Sequence, residues 1–245
     1  MYHFFVEPEQ ITQETIQIEG TDVNHIRNVL RMKTGEKVLI SDGSDVDYYC
    51  VIEELDTQYV VLHIEERKEA GRELSSKIYL FQGLPKNDKM ELIIQKAVEL
   101  GVYEVIPVSM KRCVVKLDKK KEASRLKRWS DISKEAAKQS KRNQIPNIHE
   151  VLTYREALSY ARELDIKLIP YELATGMGTT KEILSSIEEN QSIAIFIGPE
   201  GGFEEVEIQE GLELGFQPIT LGRRILRTET AGLTALAILM YHLEG

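Results

Sequence analysis

An apolar run, Ile193-Ala194-Ile195-Phe196-Ile197, stops abruptly at Gly198-Pro199-Glu200-Gly201-Gly202-Phe203. A run of that kind reads as a buried strand. A second glycine-bearing loop, Leu221-Gly222-Arg223-Arg224-Ile225-Leu226-Arg227-Thr228-Glu229-Thr230-Ala231, leads into the apolar stretch 233–243. Buried strands that end in glycines before a helix are how α/β proteins build ligand crevices at strand C-termini. The two loops are therefore read together, as the site of one cofactor.

The chain on either side fits that class. Strands expected at 78–83, 103–108, 167–172, 192–197 and 218–221 alternate with helices, and a short extended piece is expected at 112–116. The first helix starts at Asn87 or Asp88 and ends at Gly101; the others are expected at 122–141, 153–163, from Thr179 or Thr180, 203–214 and 230–243. This order implies a mostly parallel sheet covered on both faces. Residues 1–70 read differently, as a small β-rich module suggestive of a barrel. Its strands are expected at 37–41, 46–55 and 59–65, with one helix from Thr21 or Asp22 to about Met32. Val23, Ile26, Val29 and Leu30 stripe that helix, and His25, Arg27 and Arg31 lie on its other face. The polar, aperiodic stretch 68–76 is the linker, giving domains 1–72 and 73–245.

Net charge is −9, which by itself argues against a nucleic-acid partner. Its distribution argues the other way. Residues 111–142 hold 13 Lys/Arg against 4 Asp/Glu, a local +9 that leaves −18 for the rest of the chain. Such a segment, with Lys116, Lys119, Lys120 and Lys121 near its start, is either a phosphate-binding surface or a solvated amphipathic helix. Cys50 and Cys113 are the only cysteines, without CxxC or metal-ligand spacing, so no zinc site is expected and a reducing compartment is. The N-terminus shows no export signal, and the last helix is too short and interrupted to span a bilayer, so a cytoplasmic protein is expected.

Glycines at a strand end let backbone N–H groups approach a ligand, and a following helix start favours an anion. The loop is neither GxGxxG nor a Gly-Lys-Ser/Thr phosphate loop, which argues against dinucleotides and triphosphates. A tight strand-to-helix turn with Glu204 and Glu205 in the first helical turn remains open. In the second loop, Arg223, Arg224 and Arg227 among apolar neighbours are costly for a mere connector.

Gly198-Pro199-Glu200-Gly201-Gly202-Phe203 with Leu221-Gly222-x-x-Ile225-Leu226-Arg227-Thr228-Glu229-Thr230-Ala231 resembles the SPOUT class of S-adenosylmethionine-dependent methyltransferases, and within it the ribosomal RNA small subunit methyltransferase E family. The likeness extends through Gln95 to Val102, Arg112-x-Val114-Val115-Lys116, Glu135-Ala136-x-x-Gln139-x-x-Arg142 and His25-Ile26-x-x-Val29-Leu30-Arg31, nearly the whole chain. It departs at His3, where relatives often carry Arg, and at Cys113, where they often carry Ser.

The resemblance implies a deep trefoil knot in the C-terminal sheet, a PUA-like RNA-binding barrel at the N-terminus, and a homodimer without metal. It also implies methylation of uridine N3 in 16S (small-subunit) ribosomal RNA. Ile197, Gly198, Glu200, Gly201, Gly202, Leu221, Gly222, Ile225, Leu226, Arg227 and Thr228 would hold S-adenosylmethionine. Arg227, with Arg112 and Arg142, would stabilise charge on the base, and Glu135, Glu172 and Glu229 would be the candidate bases or orienters. Arg27, Arg31, Lys116, Lys119, Lys120 and Lys121 would contact RNA. Two rival readings stay open: 2′-O-ribose methylation, and a non-catalytic RNA-binding assembly factor of the same fold.

Overall fold

Residues 1–69, 71–171 and 176–244 are described by the structure, a computed structural model. The chain divides into two compact units, Met1–Glu73 with Ala137–Ile145, and Leu74–Ala136 with Pro146–Gly245. Division by chain order alone places 137–145 with the second unit.

The first unit is built on β1 (Tyr2–Phe5), β2 (Thr15–Glu19), β3 (Lys37–Ser41), β4 (Val46–Leu55) and β5 (Tyr59–Glu69). They form one sheet in the order β1-β3-β4-β5-β2, with β1 parallel to β3 and the other pairs antiparallel. Strand β2 shows why: Ile16 and Ile18 point inward while Gln17 and Glu19 face water, the alternation a one-sided sheet needs. Phe4, Ile16, Ile18, Ile26, Ile40, Ile52 and Leu62 fill the core. The expected barrel is a sheet whose edge strands β1 and β2 do not pair with each other among the described residues.

The expected helix to Met32 is much shorter. Helix α1 covers Thr21–Asn24, and His25–Val29 continue it as a π turn. Neither Thr21 nor Asp22 caps it: Gly20 holds the cap position at φ 71° without a side-chain bond. The Asp22 carboxylate instead takes Lys138 Nζ at 2.8 Å. Arg31, left-handed at φ 53°, ends the turn.

A buried polar network explains why 137–145 belongs here. Asn143 Nδ2 donates to Asp47 Oδ1 at 2.9 Å, Ser41 Oγ donates to the same oxygen at 3.0 Å, and Arg72 pairs with the other oxygen. His3 Nε2 lies 2.9 Å from Ser41 Oγ. Burial lowers the His3 pKa from its ordinary 6.5 to about 4, against the pull of Asp47. Between those values the unfolded chain binds a proton that the folded chain excludes. Stability present at neutral pH is therefore lost as pH falls from about 6.5 to about 4, by roughly 3 kcal/mol. Urea unfolding at pH 7 and pH 4 should show that much more loss for the wild type than for His3→Gln, which cannot titrate. Equal losses would contradict it.

The second unit carries β6 (Lys77–Gly83), β7 (Glu104–Ser109), β8 (Asn147–Ile148), β9 (Leu152–Thr153), β10 (Ile166–Pro170), β11 (Ser192–Ile197) and β12 (Gln217–Ile219). The order is β12-β10-β11-β6-β7-β8, with β9 also on β7, and each pair is parallel. Central strands β6 and β11 are near-continuously apolar because both faces are covered. Phe81 and Phe196 stack across them with ring centroids 4.3 Å apart, worth about 1 kcal/mol beyond area burial.

Helices α2 (Lys89–Glu99), α3 (Lys119–Ser140), α4 (Tyr154–Ala161), α5 (Met177–Ser185), α6 (Glu205–Glu213) and α7 (Thr228–Glu244) fill the gaps. Thr153 and Glu156 form the capping box that starts α4. Several expectations need correction. Residues 113–118 form no strand. Helix α3 begins three residues early because Asp118 Oδ1 accepts the Lys121 N–H at 2.9 Å. Helix α5 starts from Gly176, not from a threonine cap; Thr180 is buried within it and accepts the Thr220 N–H at 2.9 Å. Strand β10 stops at Pro170, and Glu172 lies outside the described residues. Among the described residues no helix is long and apolar enough to cross a membrane.

Candidate functional site

Strands β6 and β11 run in register, Phe81 beside Phe196 and Gln82 beside Ile197, so Gly83 and Gly198 leave the sheet side by side. A Cβ on Gly83 would lie 2.7 Å from the Pro199 nitrogen and 2.8 Å from its Cδ. Only glycine lets the 198–203 loop lie where it does. The second loop leaves β12 and turns at Gly222, φ 113°, where Thr220 Oγ1 accepts the glycine N–H at 3.3 Å.

The two loops then meet. Thr228, first residue of α7, donates its hydroxyl to the Gly198 carbonyl at 2.7 Å and accepts from Gln82 Nε2 at 2.8 Å. Gln82 and Thr228 are buried and Gly198 is half-buried, so these bonds are costly to break. Gln82 also donates to the Gly83 carbonyl at 3.0 Å.

A charged cluster sits on the same loops. Lys89 Nζ is 3.2 Å from Glu200 Oε1 and 3.2 Å from Glu229 Oε2. Glu200 Oε1 also accepts the Lys86 N–H at 3.0 Å. Partial burial works to raise the Glu200 pKa, but the Lys86 N–H and the Lys89 ammonium outweigh it and hold the carboxyl below its usual range. Arg112 Nη1 donates to the Gly201 carbonyl at 2.9 Å, and its Nε is 3.8 Å from Glu204.

The other residues singled out in the sequence separate into three settings. Ile197 is buried, Leu221 and Leu226 are half-buried, and Ile225 is 85% exposed on the second loop. Arg227 is exposed, and its side chain makes no hydrogen bond or ion pair among the described residues. Glu135 is an exposed position of α3. Lys116, Lys119, Lys120 and Lys121 are exposed at and before the α3 start, Lys121 paired with Asp118. Arg27, Arg31 and Arg142 belong to the first unit. There Arg142 is buried and grips both oxygens of Glu73, an occupation that holds the fold together. Buried thiols are also quiet: burial pushes Cys50 up to about 12 and raises Cys113.

Pattern reading passed over Gln82, Gly83, Lys86 and Lys89. One signal was available for Gln82: an amide closing an otherwise apolar strand, directly before glycine, is a buried polar group in need of a partner.

An RNA methyltransferase domain family matches residues 72–240, and an RNA methyltransferase PUA domain family matches residues 18–65. The chain is 38% identical over 250 residues to the ribosomal RNA small subunit methyltransferase E of Bacillus subtilis, covering 100% of this chain and 98% of that protein. A ribosomal RNA small subunit methyltransferase E from Neisseria gonorrhoeae, crystallised bound to S-adenosyl methionine, superposes with a TM-score of 0.84 at 36% identity, over 97% of this chain and 96% of that one. A Legionella pneumophila structure in complex with the bound cofactor SAM gives 0.86 at 32% identity, over 98% of this chain and 97% of that one. Joined glycine loops at the C-terminal end of a parallel sheet, with identity of this extent along the whole chain, place the protein in the ribosomal RNA small subunit methyltransferase E family.

Proposed function

We propose that this protein transfers the methyl group of S-adenosylmethionine to N3 of a uridine in small-subunit ribosomal RNA. The observation that carries the reading is the Thr228–Gly198 hydrogen bond, which makes one site of two loops distant in sequence, in a chain of this family. The residues suit the cofactor. Gly202 and Gly222 have positive φ and nothing within 4 Å of where a Cβ would stand, so backbone faces open space there. Ile225, Leu226 and Leu221 offer apolar surface for an adenine, and exposed Ile225 in particular needs cover. When bound, S-adenosylmethionine supplies a methyl group already activated by the sulfonium, so the protein's task is placement.

Uridine N3 carries a weakly acidic imide proton, and charge develops on O2 and O4 as it leaves. Arg227, exposed on the second loop and without an ion pair among the described residues, is the residue proposed to meet that charge, with Arg112 beside the first loop as the second cation. N3 lies on the pairing edge, so the base must be unpaired or flipped first. The return of the chain from edge strand β12 to α7, which packs on β6, β11, α2 and α5, supports the trefoil knot expected of the family. Exposed Leu92 on α2 with Ile238 and Tyr241 on α7 supports a homodimer through that face. The proposed setting is the cytoplasm, on RNA within a ribosomal subunit.

Lys119, Lys120 and Lys121 in the first turn of α3 run against the helix dipole, an arrangement a phosphate would relieve. Changing all three to Ala should weaken RNA binding and flatten the slope of log K against log salt by about 2. An unchanged slope would remove these lysines from the interface. The reading as a whole is tested by primer extension on small-subunit RNA from cells lacking this protein. Loss of one N3-methyluridine stop is expected; an unaltered pattern of stops would overturn it.

A further inference from the structure

We infer that Lys89 is a positioning residue of the cofactor site, holding the first loop to the start of α7 through two carboxylates that pair with no other cation among the described residues. The inference rests on the cofactor reading above and adds a residue to it.

Three observations carry it. Lys89 is the first residue of α2, so its backbone is fixed by a helix rather than by either loop. The turn before it is fixed as well: Gly83 abuts Pro199, and the Lys86 N–H holds Glu200. The first turn of α2 is anchored from the other side by Asp88 and Glu91, which pair with Arg125 and Arg128 of α3 at 3.1 and 3.0 Å.

Next is what Lys89 holds. Glu200 sits in the middle of the Gly198–Phe203 loop, and Glu229 directly follows the Thr228 that bonds Gly198. One ammonium thus reaches both loops at 3.2 Å. Gln82 and Lys89 bracket the crossing, one through a buried amide and the other through charge.

Last is what happens without it. The Glu229 side chain is only 15% exposed, and its Oε2 makes no directional hydrogen bond. Among the described residues only the nearby ammonium compensates that oxygen. Remove the charge, and two carboxylates at one junction repel each other, one of them largely out of water. Truncating one side of such a pair costs mainly through the partner left behind. The loops would separate, and the site with them. Glu229 is accordingly a structural anchor in this arrangement and not the base that takes the N3 proton.

The test is calorimetry with S-adenosylmethionine. Wild type should bind; if it does not, the cofactor reading fails and this inference with it. Lys89→Met should bind at least tenfold more weakly at pH 7.5 while keeping the wild-type far-UV spectrum. Lys89→Arg should recover most of the affinity, since a guanidinium can serve both carboxylates. Lys89→Met with Glu229→Gln should bind more tightly than Lys89→Met alone, because the stranded charge is gone. A purely steric role for the lysine would leave the double variant no tighter than Lys89→Met. If Lys89→Met binds within twofold of a binding wild type, or if the second substitution restores no affinity, the inference is overturned. Should Lys89→Met fail to fold, the arginine and double variants decide by the same comparison.

Discussion

Gly83→Ala is expected to cost the protein its S-adenosylmethionine binding while leaving most of the fold in place. The added methyl would lie 2.7 Å from the Pro199 nitrogen, 2.8 Å from its Cδ and 3.0 Å from the Ile197 carbonyl oxygen. Two of those atoms are backbone, so no rotamer change relieves the overlap. Either β6 shifts, which disturbs the central pair of the sheet, or the 198–203 loop lifts. The loop is the softer side, since β6 is bonded to β7 and β11 along its length. Lifting it moves the Gly198 carbonyl from Thr228 and Glu200 from Lys89 together. Overpacking of this sort costs about 1–3 kcal/mol of stability. Affinity for the cofactor should fall by well over tenfold, read by calorimetry beside a urea unfolding curve. Wild-type affinity in a folded Gly83→Ala protein would mean that this loop does not form the site.

Arg227→Ala should have the opposite profile. The side chain is exposed and makes no polar contact among the described residues, so stability should change by less than about 0.5 kcal/mol. Its proposed partner is charge that exists only as the N3 proton leaves. Loss of one such donor typically lowers kcat by about 10²–10³. Single-turnover transfer from methyl-labelled S-adenosylmethionine should therefore slow by that factor, with cofactor affinity changed only a few-fold. A fall in affinity with kcat unchanged would make Arg227 a cofactor ligand alone.

Parts of the molecule differ in how far their sequence reveals them. The loops were readable because glycine, strand and helix signals coincide within a dozen residues, as at 193–203. The bounds of β11 and the Thr153 start of α4 were readable for the same local reason. What escaped is long-range. Strand β1 is four residues long and owes its existence to parallel pairing with β3, which no local pattern reports. Thr179 and Thr180 look like helix caps, yet Thr180 is buried against Thr220 and Gly176 begins the helix. Asp22 likewise looks like a cap until Lys138 claims its carboxylate. Arg142 enters as a candidate cation with the family resemblance; its burial and its grip on Glu73 are long-range facts that no local pattern reports. Lys89 was invisible for a related reason. A lysine opening an amphipathic helix is ordinary, and only the fold brings Glu200 and Glu229 to it.

Uridine N3 is the atom expected to receive the methyl group. Purified protein incubated with small-subunit ribosomal particles and methyl-labelled S-adenosylmethionine, followed by RNA digestion and nucleoside mass spectrometry, addresses it directly. Label in N3-methyluridine, present with wild type and strongly reduced with Arg227→Ala, is the expected result. Label in a 2′-O-methylated nucleoside, or binding of S-adenosylmethionine with no label in any nucleoside, would contradict it.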